Sequence, residues 1–186
     1  CNPEVNQGRP VCSTIFCHMT CLRSTPFRAV YCLQMIVGEF PHLRSVDVSG
    51  CHMIKPEGID IIATGLKSLV SFAGSGLLSI AFSMSLANLV EKHRSSLERL
   101  EVGAIRWTSP SLINNMASLT SIAVLDISGI NVPATASCLK LLRSISPHLK
   151  VLRAASCSFN IRKVKWDLGV VFSYSFSIHV HYLTVL

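Results

Sequence analysis

Cys12, Cys17, His18 and Cys21 crowd into the stretch CSTIFCHMTC. Thiolates with an imidazole make up the donor set of many zinc sites. Four residues separate the first two of these cysteines and three the last two. Strong zinc motifs instead pair their cysteines two residues apart. The competing reading is thiols packed into a core, and no metal is assigned. A phosphate-binding loop would need Gly-x-x-x-x-Gly-Lys-Ser/Thr. The Gly-rich stretch AGSGLL at 73–78 has no lysine and reads as a turn after a strand. His-Glu-x-x-His does not occur. Eight Cys and seven His could supply Cys–His catalysis on paper, but no local arrangement singles out a pair. The expectation is a non-enzyme with no catalytic residue and no cofactor.

Composition bounds the elements that could position any such groups. The chain has 186 residues, 49% hydrophobic and 15% charged, enough to bury one sizeable core. The net charge is +7, but no Lys/Arg run exceeds two. Nucleic-acid binding needs a basic patch or stripe, so no nucleic-acid partner is expected. Five of the eight Cys come early, at Cys1, Cys12, Cys17, Cys21 and Cys32, and no Asn-x-Ser/Thr glycosylation site occurs. Reduced, mostly buried thiols in a cytoplasmic or nuclear protein are the expectation. The chain starts with Cys1 rather than Met, so it reads as a fragment or processed form that a further N-terminal domain could precede.

Two phrases expose the organisation. Residues 41–51 read PHLRSVDVSGC and residues 147–157 read PHLKVLRAASC. The template Leu-x-x-φ-x-φ-x-x-Cys, with φ apolar, is filled by Leu43, Val46, Val48 and Cys51. It recurs as Leu69, Phe72, Gly74 and Leu77, then Leu97, Leu100, Val102 and Ile105. Ile122, Leu125, Ile127 and Ile130 follow, and Leu149, Leu152, Ala154 and Cys157 close the series. The starts at Leu43, Leu69, Leu97, Ile122 and Leu149 are nearly evenly spaced, at a period close to 26. Alternating apolar residues form a short strand with one buried face. The chain between must return to begin a parallel neighbour, usually through a helix. Punctuation agrees: Thr25-Pro26, Pro56, Ser109-Pro110 (with Thr108 an alternative cap) and Asn131 with Pro133 mark helix starts. Gly65 lies near one helix end, and Pro41 and Pro147 stop helices two residues before a strand's first Leu. His42 and His148 repeat in register, which points to a structural place before a strand.

These residues resemble leucine-rich repeats, units of 20–29 residues with a strand and a helix. The repeat near 26 and the ninth-position Cys51 and Cys157 are similar to the cysteine-containing repeats of F-box/leucine-rich-repeat proteins, although Leu77, Ile105 and Ile130 depart from that Cys. The resemblance implies an α/β leucine-rich-repeat solenoid of about five to six repeats, parallel strands on the concave face and helices on the convex one. Stacked repeats then share one core. It implies a protein-binding module, the substrate-recognising part of a ubiquitin-ligase adaptor acting through components N-terminal to this chain. The alternative is a generic scaffold or inhibitor without a ubiquitin role. The candidate concave residues are Ser45, Asp47, Ser71, Arg99, Glu101, Asp126 and Arg153, with Ala73, Val124 and Val151 among them. The row carries no Trp or Tyr anchor, so a solvated face without ligand is the bland alternative.

Three segments result: an irregular Cys-rich stretch or degenerate first repeat at 1–24, the repeats at 25–158, and an atypical apolar, β-prone tail at 159–186. In the tail, Trp166, Leu168, Val170, Phe172, Tyr174, Phe176, Ile178, Val180 and Tyr182 alternate with other residues. Residues 168–186 contain no Asp, Glu, Lys or Arg, and Arg162, Lys163 and Lys165 precede them. Three readings stand: a strand or hairpin beside the last repeat, a membrane anchor, or sequence foreign to the repeats. His179, His181 and several hydroxyls count against the anchor.

Overall fold

The structure, a computed structural model, describes residues 4–6, 9–11, 14–16, 25–77, 81–104, 110–129, 144–145, 147–153, 172–177 and 180–185. It is an α/β fold built on a run of parallel strands. β1 (Glu4–Asn6) and β2 (Arg9–Val11) form a separate antiparallel pair. The main sheet runs in chain order through β3 (Thr14–Phe16), β4 (Ser45–Asp47), β5 (Ser71–Ala73), β6 (Arg99–Glu101), β7 (Val124–Asp126) and β8 (Val151–Arg153). Each of these is parallel to the next and in matched register: Val46, Phe72, Leu100, Leu125 and Leu152 stand side by side. β3 falls inside the Cys-rich segment 1–24 and places Ile15 beside Val46. At the far edge, β9 (Phe172–Ser177) and β10 (Val180–Val185) form an antiparallel hairpin that joins β8 through β10. These tail residues are strands. Among the described residues no helix is long and apolar enough to cross a membrane.

Pairing outruns the short strands. Val48 N–H donates to Ala73 O, Gly74 N–H to Glu101 O, Val102 N–H to Asp126 O and Ile127 N–H to Arg153 O, all at 2.8–2.9 Å. Before the strands, Val70, Glu98, Ala123 and Lys150 donate to Arg44, Val70, Glu98 and Ala123 in turn. The repeat period is therefore written into backbone hydrogen bonds as well as side chains. Past each of β4 to β7 the chain turns through a residue with positive φ: Gly50 at 68°, Gly76 at 82°, Ala104 at 57° and Gly129 at 69°. All four occupy the eighth position of the template.

Helices close the crossovers. α1 (Pro26–Glu39) starts where Thr25 Oγ1 accepts from Arg28 N–H at 3.3 Å, with Pro26 in the first turn, where its missing N–H costs nothing. It ends at Phe40, just before Pro41. α2 (Pro56–Gly65) also opens on proline. α3 (Phe82–Lys92) and α4 (Pro110–Met116) follow, and α1 packs on α2, α2 on α3 and α3 on α4. Polar groups tie these neighbours together. Asp60 on α2 accepts from Ser85 Oγ at 2.9 Å and Asn88 Nδ2 at 3.3 Å on α3, and Asn115 Nδ2 donates to Ala87 O at 2.9 Å. Gly65 does not serve as a left-handed helix cap. A Cβ there would collide with Val37 Cγ1, so glycine lets α1 and α2 approach. The helix expected from Asn131 and Pro133 lies outside the described residues apart from helical Ser144 and Ile145, and the caps Thr108 and Ser109 lie outside them too.

The core is the space between sheet and helices. Leu43, Leu69, Leu97, Ile122 and Leu149 are buried at the first template position, and Val46, Phe72, Leu100, Leu125 and Leu152 at the fourth. Ala29, Leu33, Ile59, Ile62, Leu86, Leu89, Val90 and Met116 meet them from the helices. Each fully buried aliphatic side chain contributes about 1.5–3 kcal/mol of burial. Cys51 at the ninth position is fully buried but is disulfide-bonded, which corrects the expectation of a reduced thiol there. Its burial is satisfied equally by a thiol or a disulfide, so burial alone does not set the sulfur's redox state.

Candidate functional site

Alternation along each strand turns the third and fifth template positions away from the core. Register then sorts the expected site residues into two rows. Ser45, Ser71, Arg99, Val124 and Val151 form one, and Asp47, Ala73, Glu101, Asp126 and Arg153 the other. Arg99 is exposed and the rest are half-buried.

The rows differ in what they do. Asp47 Oδ1 accepts from Ser49 N–H at 2.9 Å, and Asp126 Oδ1 accepts from Ser128 N–H at 2.9 Å. The matching DVSG and DISG segments thus use their aspartates to brace the turn that leads to Gly50 and Gly129, as Asx side chains do. Glu101 has a different task. Its Oε1 accepts from Arg99 Nη1 on its own strand at 2.9 Å and from Arg153 Nη1 at 3.0 Å. Arg153 reaches past β7 to make that contact. One carboxylate between two guanidiniums gives these three side chains a formal charge of +1, and Asp126, in register between Glu101 and Arg153, brings the local sum to zero. The three side chains keep 47%, 22% and 30% of their surface exposed for Arg99, Glu101 and Arg153. Partly exposed pairs contribute only about 0–1 kcal/mol to folding. The cluster therefore adds little to holding the fold. Ser45 and Ser71 add a small, flat, hydroxyl-bearing surface beside it.

A separate cleft escaped sequence reading. A cleft of about 670 Å³ opens between the turns after β4 and β5. Ile54, Leu77 and Phe82 form its apolar floor, and His52, Lys55 and Glu57 its exposed rim. No motif announced it, because its walls come from two repeats whose spacing only the turns define. Among the described residues that line it, no nucleophile is set against a base. Among the described residues no group of three His, Cys, Asp or Glu could hold a metal. Cys12, Cys17, His18, Cys21 and Cys157 lie outside the described residues. His42 and His148 sit at equivalent turns and are both exposed. His93, by contrast, is buried at the end of α3, and its Nε2 has no partner among the described residues. Burial pushes this imidazole below its usual range; a backbone hydrogen bond at Ala63 opposes that shift, and Lys92 adds to it. No protein-family model matches the chain, and neither a curated protein nor a solved structure matches it.

Proposed function

We propose that the chain is a leucine-rich-repeat solenoid whose strand face binds a protein partner. The reading is supported by evenly spaced rungs in parallel register, with a leucine column inside and a positive-φ turn at the same step of successive rungs. The observation that carries the binding role is Glu101 shared by Arg99 and Arg153 in the open middle of the ladder. Such a row offers guanidinium donors to carboxylates of a partner, which Arg binds in fork geometry. The role is non-catalytic and needs no cofactor. The resemblance to F-box/leucine-rich-repeat sequences extends the proposal to substrate recognition for a ubiquitin ligase, with the adaptor-binding element N-terminal to these repeats. A generic scaffold or inhibitor is the alternative within the same geometry. A cytoplasmic or nuclear location belongs to the ligase reading, and the disulfide at Cys51 weighs against it, since disulfides persist in oxidising compartments.

Photo-crosslinking tests the binding surface. A photoreactive residue at Ser71, on the strand face, should capture the partner, and one at Thr64, exposed on α2, should not. Arg153→Glu should weaken capture at Ser71. Equal capture from both positions overturns the strand-face proposal. Co-purification of the full-length protein with a cullin complex tests the ligase extension, and a partner bound without any cullin favours the scaffold.

A further inference from the structure

α1 carries apolar side chains on two opposite faces. Ala29, Leu33 and Val37 are buried against the core. Phe27, Tyr31 and Met35 point the other way and are 82%, 56% and 49% exposed. Residues four apart on a helix advance only about 40° per step, so these three form one stripe. Gly38 continues it, with open space where a Cβ would lie. The exposed positions of α2 are Glu57 and Thr64, so the apolar outer stripe is peculiar to α1 within that packed pair. A helix apolar on two sides is one that gets covered on two sides.

The stripe is complementary to itself. Arg28 and Glu39 are exposed and lie on the same flank, about three turns apart. A two-fold axis across α1 at Leu33 lays a second copy antiparallel on the first, in a register that brings Tyr31 level with Met35, and Arg28 with Glu39 and Phe27 with Gly38 each within one residue, about 1.5 Å, of level. Arg28 then meets Glu39 of the other copy twice. The same register sets Tyr31 against Met35, a favourable aromatic–sulfur contact. It also sets the bulky Phe27 over Gly38, whose missing side chain leaves room. One register satisfies charge, shape and apolar cover together. We propose that two copies of this chain associate through the outer face of α1 as an antiparallel, isologous dimer.

Each wholly exposed aromatic offers about 150–250 Å², so the stripe falls short of the roughly 1,200 Å² of a tight interface. The dimer is weak, with a dissociation constant on the order of micromolar or above. Sedimentation equilibrium of the whole chain in reductant, up to about 300 µM, should show a monomer–dimer equilibrium. Tyr31→Glu should raise the dissociation constant at least about tenfold, since it places a charge in the covered stripe. Arg28→Glu should raise it about three- to tenfold, and Arg28→Glu with Glu39→Arg should return it close to the parent value. All of these positions are exposed, and circular dichroism would confirm an unchanged fold. A chain that stays monomeric throughout the series, or a dimer that reductant abolishes, overturns the proposal. So does a dimer indifferent to Tyr31→Glu, or a double charge swap that fails to restore association.

Discussion

The neighbouring strands β5 and β6 depart from the repeat in opposite ways. β5 places Phe72 where other rungs have Val46, Leu100, Leu125 and Leu152, and Gly74 where they have Val48, Val102 and Ile127. A Cβ on Gly74 would stand 2.7 Å from Phe72 Cε1 and 3.2 Å from Leu77 Cδ1. The ring therefore occupies the volume that the sixth position vacates, and the pair conserves volume between them. β6 keeps an ordinary Leu100 and Val102, and its irregularity sits in the turn, where Ala104 takes φ 57°. Glycine fills that place at Gly50, Gly76 and Gly129. A volume error is repaired by a neighbouring volume change. A backbone error has no such neighbour, because the cost lies in the residue's own Cβ and carbonyl.

The largest break of this comparison is Leu100→Ala. Leu100 is wholly buried between Phe72 and Leu125. Its removal leaves a cavity in a regular rung with no spare side chain to fill it, at about 2–5 kcal/mol of stability by chemical denaturation. Next comes Gly74→Val, which restores the usual residue yet should cost about 1–3 kcal/mol by overpacking against the ring. The double substitution Phe72→Leu with Gly74→Val should recover most of that loss, because it rebuilds the ordinary pair. Recovery of less than half would mean the two positions are not coupled through shared volume.

Ala104→Gly runs the other way. Relief of the left-handed conformation is worth about 1–2 kcal/mol, offset by about 0.4–1 kcal/mol for the freedom glycine adds to the unfolded chain. A net gain of about 0.5–1 kcal/mol, or about 1–4 °C in Tm, is the expected outcome for a chain of this length. Gly76→Ala should lose a similar amount, since φ there is 82°. Thermal denaturation of the two variants side by side checks both signs.

This contrast also shows where sequence reasoning reaches. The strand centres were legible because apolar alternation and a leading Leu or Ile recur at one period. On the template Phe72 and Gly74 each read as fillers of their positions, and only their distance shows the large one compensating the small one. The eighth-position turn went unread because Ala104 interrupts a column of three glycines. Gly65 was legible as a residue near a helix end but not as the contact between α1 and α2, which depends on Val37 in the preceding repeat. The step from Thr14 of β3 to Ser45 of β4 is longer than any step between the later rungs, so the template passed over β3. For the site, the two rows follow from alternation. The bond from Arg153 to Glu101 does not, because it depends on how far a long side chain reaches across a strand.

The smallest effect separates fold from function. Arg99→Gln removes one of the two guanidiniums on Glu101 while keeping most of the stem. Arg99 is exposed, its pair is screened by solvent, and Arg153 still holds the same carboxylate oxygen. Stability should change by less than about 0.5 kcal/mol. Binding should respond more, because a partner's carboxylate that loses a charged donor on contact is left poorly paired at a covered surface. Equilibrium unfolding and partner affinity measured on the same variant therefore split the two roles. A large loss of stability with affinity unchanged would make the Arg99–Glu101–Arg153 cluster a structural clamp, and the rows of β4 to β8 would then lose their claim as the binding face.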